Sequence, residues 1–184
     1  MSAKEKIIHH LHEARIAHIR WVNSIKLLVS GIDIPESDIE LSPTDSLFGK
    51  WYYTEAQLFA DTNARMVLEE IESLFLSAHD KYMKLYTIYY ANKKKGMFSA
   101  LLGSKKSITS VEAEFSQQRY EEIVLLSDKL KQKLRIFETQ LMSMNDEKFE
   151  QIARFSERDA IPSPQEREQE SENGAYYFGT RGRG

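Results

Sequence analysis

Long, uninterrupted helical periodicity constrains this chain more than any other feature. From about Ala3 to Ser30, apolar residues recur at Ile7, Leu11, Ala14, Trp21, Ile25 and Leu28, the spacing of one buried helix face. The pattern returns from about Asn63 to Asn92 in Met66, Ile71, Phe75, Tyr82, Tyr86 and Tyr89. It returns again from Thr109 or Ser110 to about Met144, where Ile123, Leu126, Leu130, Leu134, Phe137 and Leu141 approach a heptad seam. With only 8 glycines and 4 prolines in 184 residues, a loop-rich β fold is disfavoured. Long helices joined by few turns fold back on one another, so residues 1–144 are expected to form an all-α, up-down four-helix bundle.

The joins between these stretches carry their own signals. Gly31 ends the first helix, and Ile32 to Pro43, with Pro35, Pro43 and several acids, reads as a connection with at most a short extended piece. A short extra helix is expected near Ser46 to Trp51, capped by Thr44 or Asp45. Gly49 would let the backbone turn or let the aromatic Trp51 fold back closely. Residues 145–184 are expected to hold a helix extension over Lys148 to Ser156. A disordered tail follows, because Pro162, Pro164 and the polar run Gln165 to Asn173 offer nothing to bury.

Charge and composition exclude several classes. A net charge of -3 gives no global attraction to nucleic acid. The absence of cysteine removes disulfides, thiolate metal ligands and thiol redox chemistry together. No run approaches the roughly 20 apolar residues a membrane span requires, and the N-terminus lacks the apolar core of a secretory signal. A cytoplasmic protein is therefore expected. The sequence contains no Gly-rich phosphate loop, Gly-x-Ser-x-Gly elbow or His-Glu-x-x-His helix, and no paired Glu-x-x-His of a di-iron bundle. A non-catalytic module is expected.

Two histidines interrupt the apolar stripes. His18 completes the stripe of the first helix, and His79 lies four residues after Phe75, on the same face. Together with Trp21 and the run Ser46-Leu47-Phe48-Gly49-Lys50-Trp51, they form a constellation that resembles the chemoreceptor zinc-binding (CZB) domain family. That family's pattern is His-x-x-Trp, then Cys-x-Leu/Phe-Gly-x-Trp, then His-x-x-x-His. The resemblance covers about Lys6 to Lys106 and extends at most to Leu141.

The resemblance implies a cytoplasmic sensory or regulatory domain of bacterial chemotaxis or cyclic-di-GMP signalling, often homodimeric, with zinc held by three histidines and a cysteine. Here His18 and His79 stand at two of the four ligand positions, Ser46 stands in place of the cysteine, and Phe75 in place of the remaining histidine. A hydroxyl is a poor zinc ligand near neutral pH, and a phenyl ring offers no donor, whereas structural zinc needs about four N, S or O donors. The expectation is a degenerate site without cofactor, with Phe75 filling space, in a stand-alone module acting through protein–protein contact. The alternative is a zinc sensor in which His18 and His79 recruit a substitute ligand; Asp45, Glu72 and Asp80 are the nearby acids, each better explained as a solvated or capping charge.

Three further features have plainer readings. His9, His10 and His12 lie roughly 9 to 14 Å from His18 along the helix axis, too far to share its site, and are expected to face solvent or a neighbour. Lys93, Lys94, Lys95, Lys105 and Lys106 bracket Phe98, Leu101 and Leu102. That segment suits either an inter-helix connection packed on the bundle end or a contact with an anionic membrane surface, of which the connection is favoured. Tyr82, Tyr86, Tyr89 and Tyr90 suit semi-buried core or a subunit interface, since each buries a ring and keeps a wet hydroxyl.

Overall fold

The computed structural model describes residues 2–91 and 108–158, with side chains described as far as residue 154. It is all-α, with no strand among the described residues. The segment Lys93 to Lys106 and the C-terminal tail lie outside the described residues. Among those described, no helix is long and apolar enough to cross a membrane.

The first helix, α1 (Ala3–Val29), begins at a reciprocal cap: the Ser2 side chain accepts from the Glu5 amide, and the Glu5 carboxylate accepts from the Ser2 amide. Each thereby satisfies a backbone donor the helix leaves open. Gly31 ends it at φ 87°, a conformation that favours glycine. Two 3-10 turns (Glu36–Asp38 and Pro43–Asp45) lead to the short helix α2 (Leu47–Thr54), and a third (Ala56–Phe59) leads toward α3 (Arg65–Tyr86). The helix α3 ends in a π turn over Thr87–Ala91. The fourth, α4 (Ser110–Ser143), starts at a second reciprocal cap, Thr109 with Glu112.

Three expectations need correction here. Asp146–Arg158 does not prolong α4. The backbone leaves the helix at Met144, which is extended, and a separate helix α5 begins at Asp146. It folds back so that Phe149 is fully buried against Phe59, with ring centroids 5.2 Å apart. Met66 is 75% exposed and does not belong to the apolar stripe; Val67 and Leu68 take the inward positions. The cap of α2 is Ser46, not Thr44 or Asp45.

Long-range side-chain pairs fix the helix directions. Lys4 reaches the Met144 carbonyl, His12 reaches Glu138 and His18 reaches Ser127, so α1 and α4 run antiparallel. Lys133 pairs with Glu70 and Lys81 with Glu122, so α3 and α4 are antiparallel too. His18 meets Phe48 while His10 meets Glu55, which sets α2 antiparallel to α1. The core falls into two apolar clusters. One holds Leu11, Phe48, Trp51, Phe59, Phe75, Leu134, Phe137 and Phe149; the other holds Trp21, Ile25, Tyr82, Leu85 and Ile123. The two histidines lie at the level where one cluster gives way to the other.

Candidate functional site

Four residues spread over 62 positions of sequence, His18, Ser46, Phe75 and His79, come together where α1, α2 and α3 meet. Helix periodicity places His18 and Trp21 on the inner face of α1, and Phe75 and His79 on that of α3. Both histidines are 2% exposed. Their rings form a stack through Trp21: His18 to Trp21 is 5.8 Å between centroids, and Trp21 to His79 is 4.3 Å. Phe75 closes the other side, 6.3 Å from His18, 4.7 Å from His79 and 4.5 Å from Phe48. A cavity of about 20 Å³ remains, lined by Trp21, Glu40, Ser46, Phe48 and the two histidines among others.

The sequence around Ser46 and Gly49 folds α2 against this place. The Ser46 hydroxyl donates to the Pro43 carbonyl at 2.7 Å and accepts from the Gly49 amide at 3.0 Å. A Cβ on residue 49 would overlap the Pro43 carbonyl, so glycine is required by the close approach of that backbone and not by a turn or by the Trp51 ring. Trp51 is buried with its ring edge to Phe48 and Phe137. Ser46 therefore stands at the expected position but spends its hydroxyl on the α2 cap.

Two polar partners were not evident from the sequence. Ser127 of α4 shares a 3.0 Å hydrogen bond with His18 Nε2. Its signal is a small polar residue in phase with the seam Ile123, Leu130, Leu134, Phe137 and Leu141; Leu126, assigned to that seam above, is only half-buried. The Glu40 backbone carbonyl accepts from Trp21 Nε1 at 3.1 Å, and Glu40 lines the cavity. No pattern marks it. The acids considered earlier lie elsewhere: Asp45 is exposed, Asp80 pairs with Lys84, and Glu72 faces Tyr53 and Tyr52.

Burial dominates the electrostatics. Desolvation lowers the His18 pKa to about 3, with His79 and Lys131 adding repulsion. Desolvation lowers the His79 pKa to about 4, opposed by a hydrogen bond to the Leu41 backbone. The His79 Nδ1 atom is buried without a partner. Both imidazoles are thus neutral at pH 7 and carry lone pairs, the state a metal ligand requires. Yet among the described residues no three His, Cys, Asp or Glu side chains cluster closely enough to hold a metal ion. With Ser46 committed to its cap and Phe75 donorless, the donor set does not fit tetrahedral zinc.

The N-terminal histidines are placed apart from this site. His10 contacts Glu55 at 2.7 Å, and His12 contacts Glu138 at 2.6 Å, where Arg15 joins it. Tyr82, Tyr89 and Tyr90 are buried; the Tyr90 hydroxyl donates to the Ile34 carbonyl and that of Tyr86 to Glu36, so this stripe anchors the 32–45 connection. Comparison with known protein families, characterised proteins and solved structures found no match.

Proposed function

We propose that this chain is a non-catalytic, partner-binding helical module related to the CZB domains of bacterial chemotaxis and cyclic-di-GMP signalling, with its zinc site replaced by packed core. In this reading it works in the cytoplasm as a homodimer or beside a signalling partner. It is built as an up-down bundle in which the short α2 takes the place of a full-length second helix. The observation that carries the reading is the gathering of His18, Ser46, Phe75 and His79 about one point. Ring packing and a helix cap join them.

Metal analysis of tag-free protein is the direct test, joined to thermal unfolding with and without chelator and to light scattering for subunit number. The reading expects no stoichiometric zinc, a chelator-independent midpoint and a dimer. One tightly held zinc per chain would overturn it. Because Glu40 lines the cavity shared by both histidines, it is the substitute ligand to examine in that event: the zinc would then leave in Glu40→Gln as well as in His18→Ala and His79→Ala.

A further inference from the structure

Outside the histidine site, an open groove of about 990 Å³ lies between the 36–45 connection and the outer edge of α3. Its floor is apolar: Leu41 and Pro43 from the connection face Met83 of α3, which is 44% exposed. Its rim is acidic, formed by Glu36, Glu40 and Asp45. Between Lys26 and Lys50 the sequence contains Asp33, Glu36, Asp38, Glu40 and Asp45 and no basic residue, so five of the chain's 28 acids fall in one stretch. Glu40 and Asp45 are exposed and form no ion pair among the described residues.

An apolar floor between carboxylates complements a cationic segment with a large apolar side chain between its basic residues. The groove also touches the histidine core. Glu40 lines both spaces, and its carbonyl holds Trp21 Nε1. We propose that this groove docks a basic peptide segment of a partner protein, with an aromatic or aliphatic anchor on Met83, and that docking is felt at Trp21 through residue 40. The assignment rests on reading the chain as an interaction module, and it names the surface and the partner's chemistry. Anchor and rim have separable roles: the apolar contact supplies most of the affinity, and the exposed charges supply orientation and salt dependence.

The test is a fluorescence titration of the full chain with the synthetic peptide Lys-Lys-Phe-Ala-Leu-Leu-Lys-Lys, with a Glu-for-Lys peptide as control. The expected result is saturable binding that changes tryptophan emission, weakens with salt and fails with the acidic control. Glu40→Gln with Asp45→Asn should weaken it about tenfold, as two exposed ion pairs allow. Met83→Asp should remove it, with helical circular dichroism unchanged. Since Trp51 also emits, the emission change should vanish in Trp21→Phe while binding, followed by calorimetry, persists. Affinity indifferent to these variants, or equal binding of the acidic control, would overturn the groove. So would self-association lost in Met83→Asp, which would assign the groove to a second copy. Failure of the peptide on a zinc-free dimer overturns the groove assignment alone. Stoichiometric zinc overturns the underlying reading.

Discussion

At the residue scale, the two buried histidines are the most informative groups because their burial carries a definite pH signature. Burial holds their folded-state pKa values, about 3 and about 4, well below the ordinary histidine value of 6.5. As pH falls below about 6.5, the unfolded chain takes up protons that the folded chain refuses, so stability falls with pH through this window. It is fully present above the unfolded value and stops falling below the folded ones. At pH 5 the loss is on the order of 2 kcal/mol for each histidine. Urea unfolding at pH 7.5 and pH 5 should therefore show a steep loss for the parent chain. His79→Phe should remove about half of it, leaving the share of His18, because phenylalanine suits the Trp21 and Phe75 faces and also removes the unpartnered Nδ1. If His79→Phe keeps the full acid sensitivity, the buried imidazole is not its source. Gly49 supplies a second residue-scale expectation. Gly49→Ala forces a methyl group onto the Pro43 carbonyl and must shift the cap of α2, at a cost of about 2 to 4 kcal/mol by denaturation.

The long helices were legible at the scale of elements because periodicity is a local property. The apolar stripes, Gly31 after α1, the Thr109 cap and the heptad-like seam of α4 place α1, α3 and α4 to within a few residues. Where two helical phases compete locally, legibility fails. Met66-Val67-Leu68 offers adjacent apolar residues, and packing, not pattern, decides that Met66 points outward. The break at Met144-Asn145 has no glycine or proline to announce it. Its cause is tertiary, since Phe149 finds Phe59 only when the chain reverses. The candidate site divides the same way. The positions of His18, Ser46, Phe75 and His79 could be selected from spacing and resemblance, whereas Ser127 and Glu40 depend on the register between α1, α4 and the connection, which no short-range pattern encodes. The element-scale prediction follows from α5. Phe149→Ala should cost about 3 to 5 kcal/mol, the usual range for emptying a buried phenylalanine site. It should also make Asn145 sensitive to limited proteolysis while α1 to α4 stay protected. Equal resistance in parent and variant would mean that Phe149 does not hold α5 in place.

For the whole molecule, the arrangement separates two properties that a metal site would combine. A zinc ion would cross-link α1, α2 and α3 and contribute folding energy outright. Here the same three helices are joined by the Trp21-centred stack, by Phe75 against Phe48, and by the α2 cap, none of which needs an ion to form. Cross-linking by packing is independent of metal supply. The geometry allows a metal site to be tested at these four positions. Phe75 lies within 6.3 Å of His18 and 4.7 Å of His79 by ring centroid, and Ser46 lines the cavity between the histidines. The double variant Ser46→Cys with Phe75→His would supply a Cys/His donor set of four, suited to tetrahedral zinc. Without metal it should be less stable than the parent by about 2 to 4 kcal/mol, since it loses a core ring and a helix cap. With zinc at about a hundredfold over its dissociation constant, roughly 2.7 kcal/mol should return, and chelator should abolish the gain. Each single variant should show much weaker rescue, because three donors leave the tetrahedron open. Unfolding midpoints of the four proteins, with zinc and with chelator, check this directly. A double variant indifferent to zinc would mean that the four positions, though adjacent, do not form the corners of a metal site.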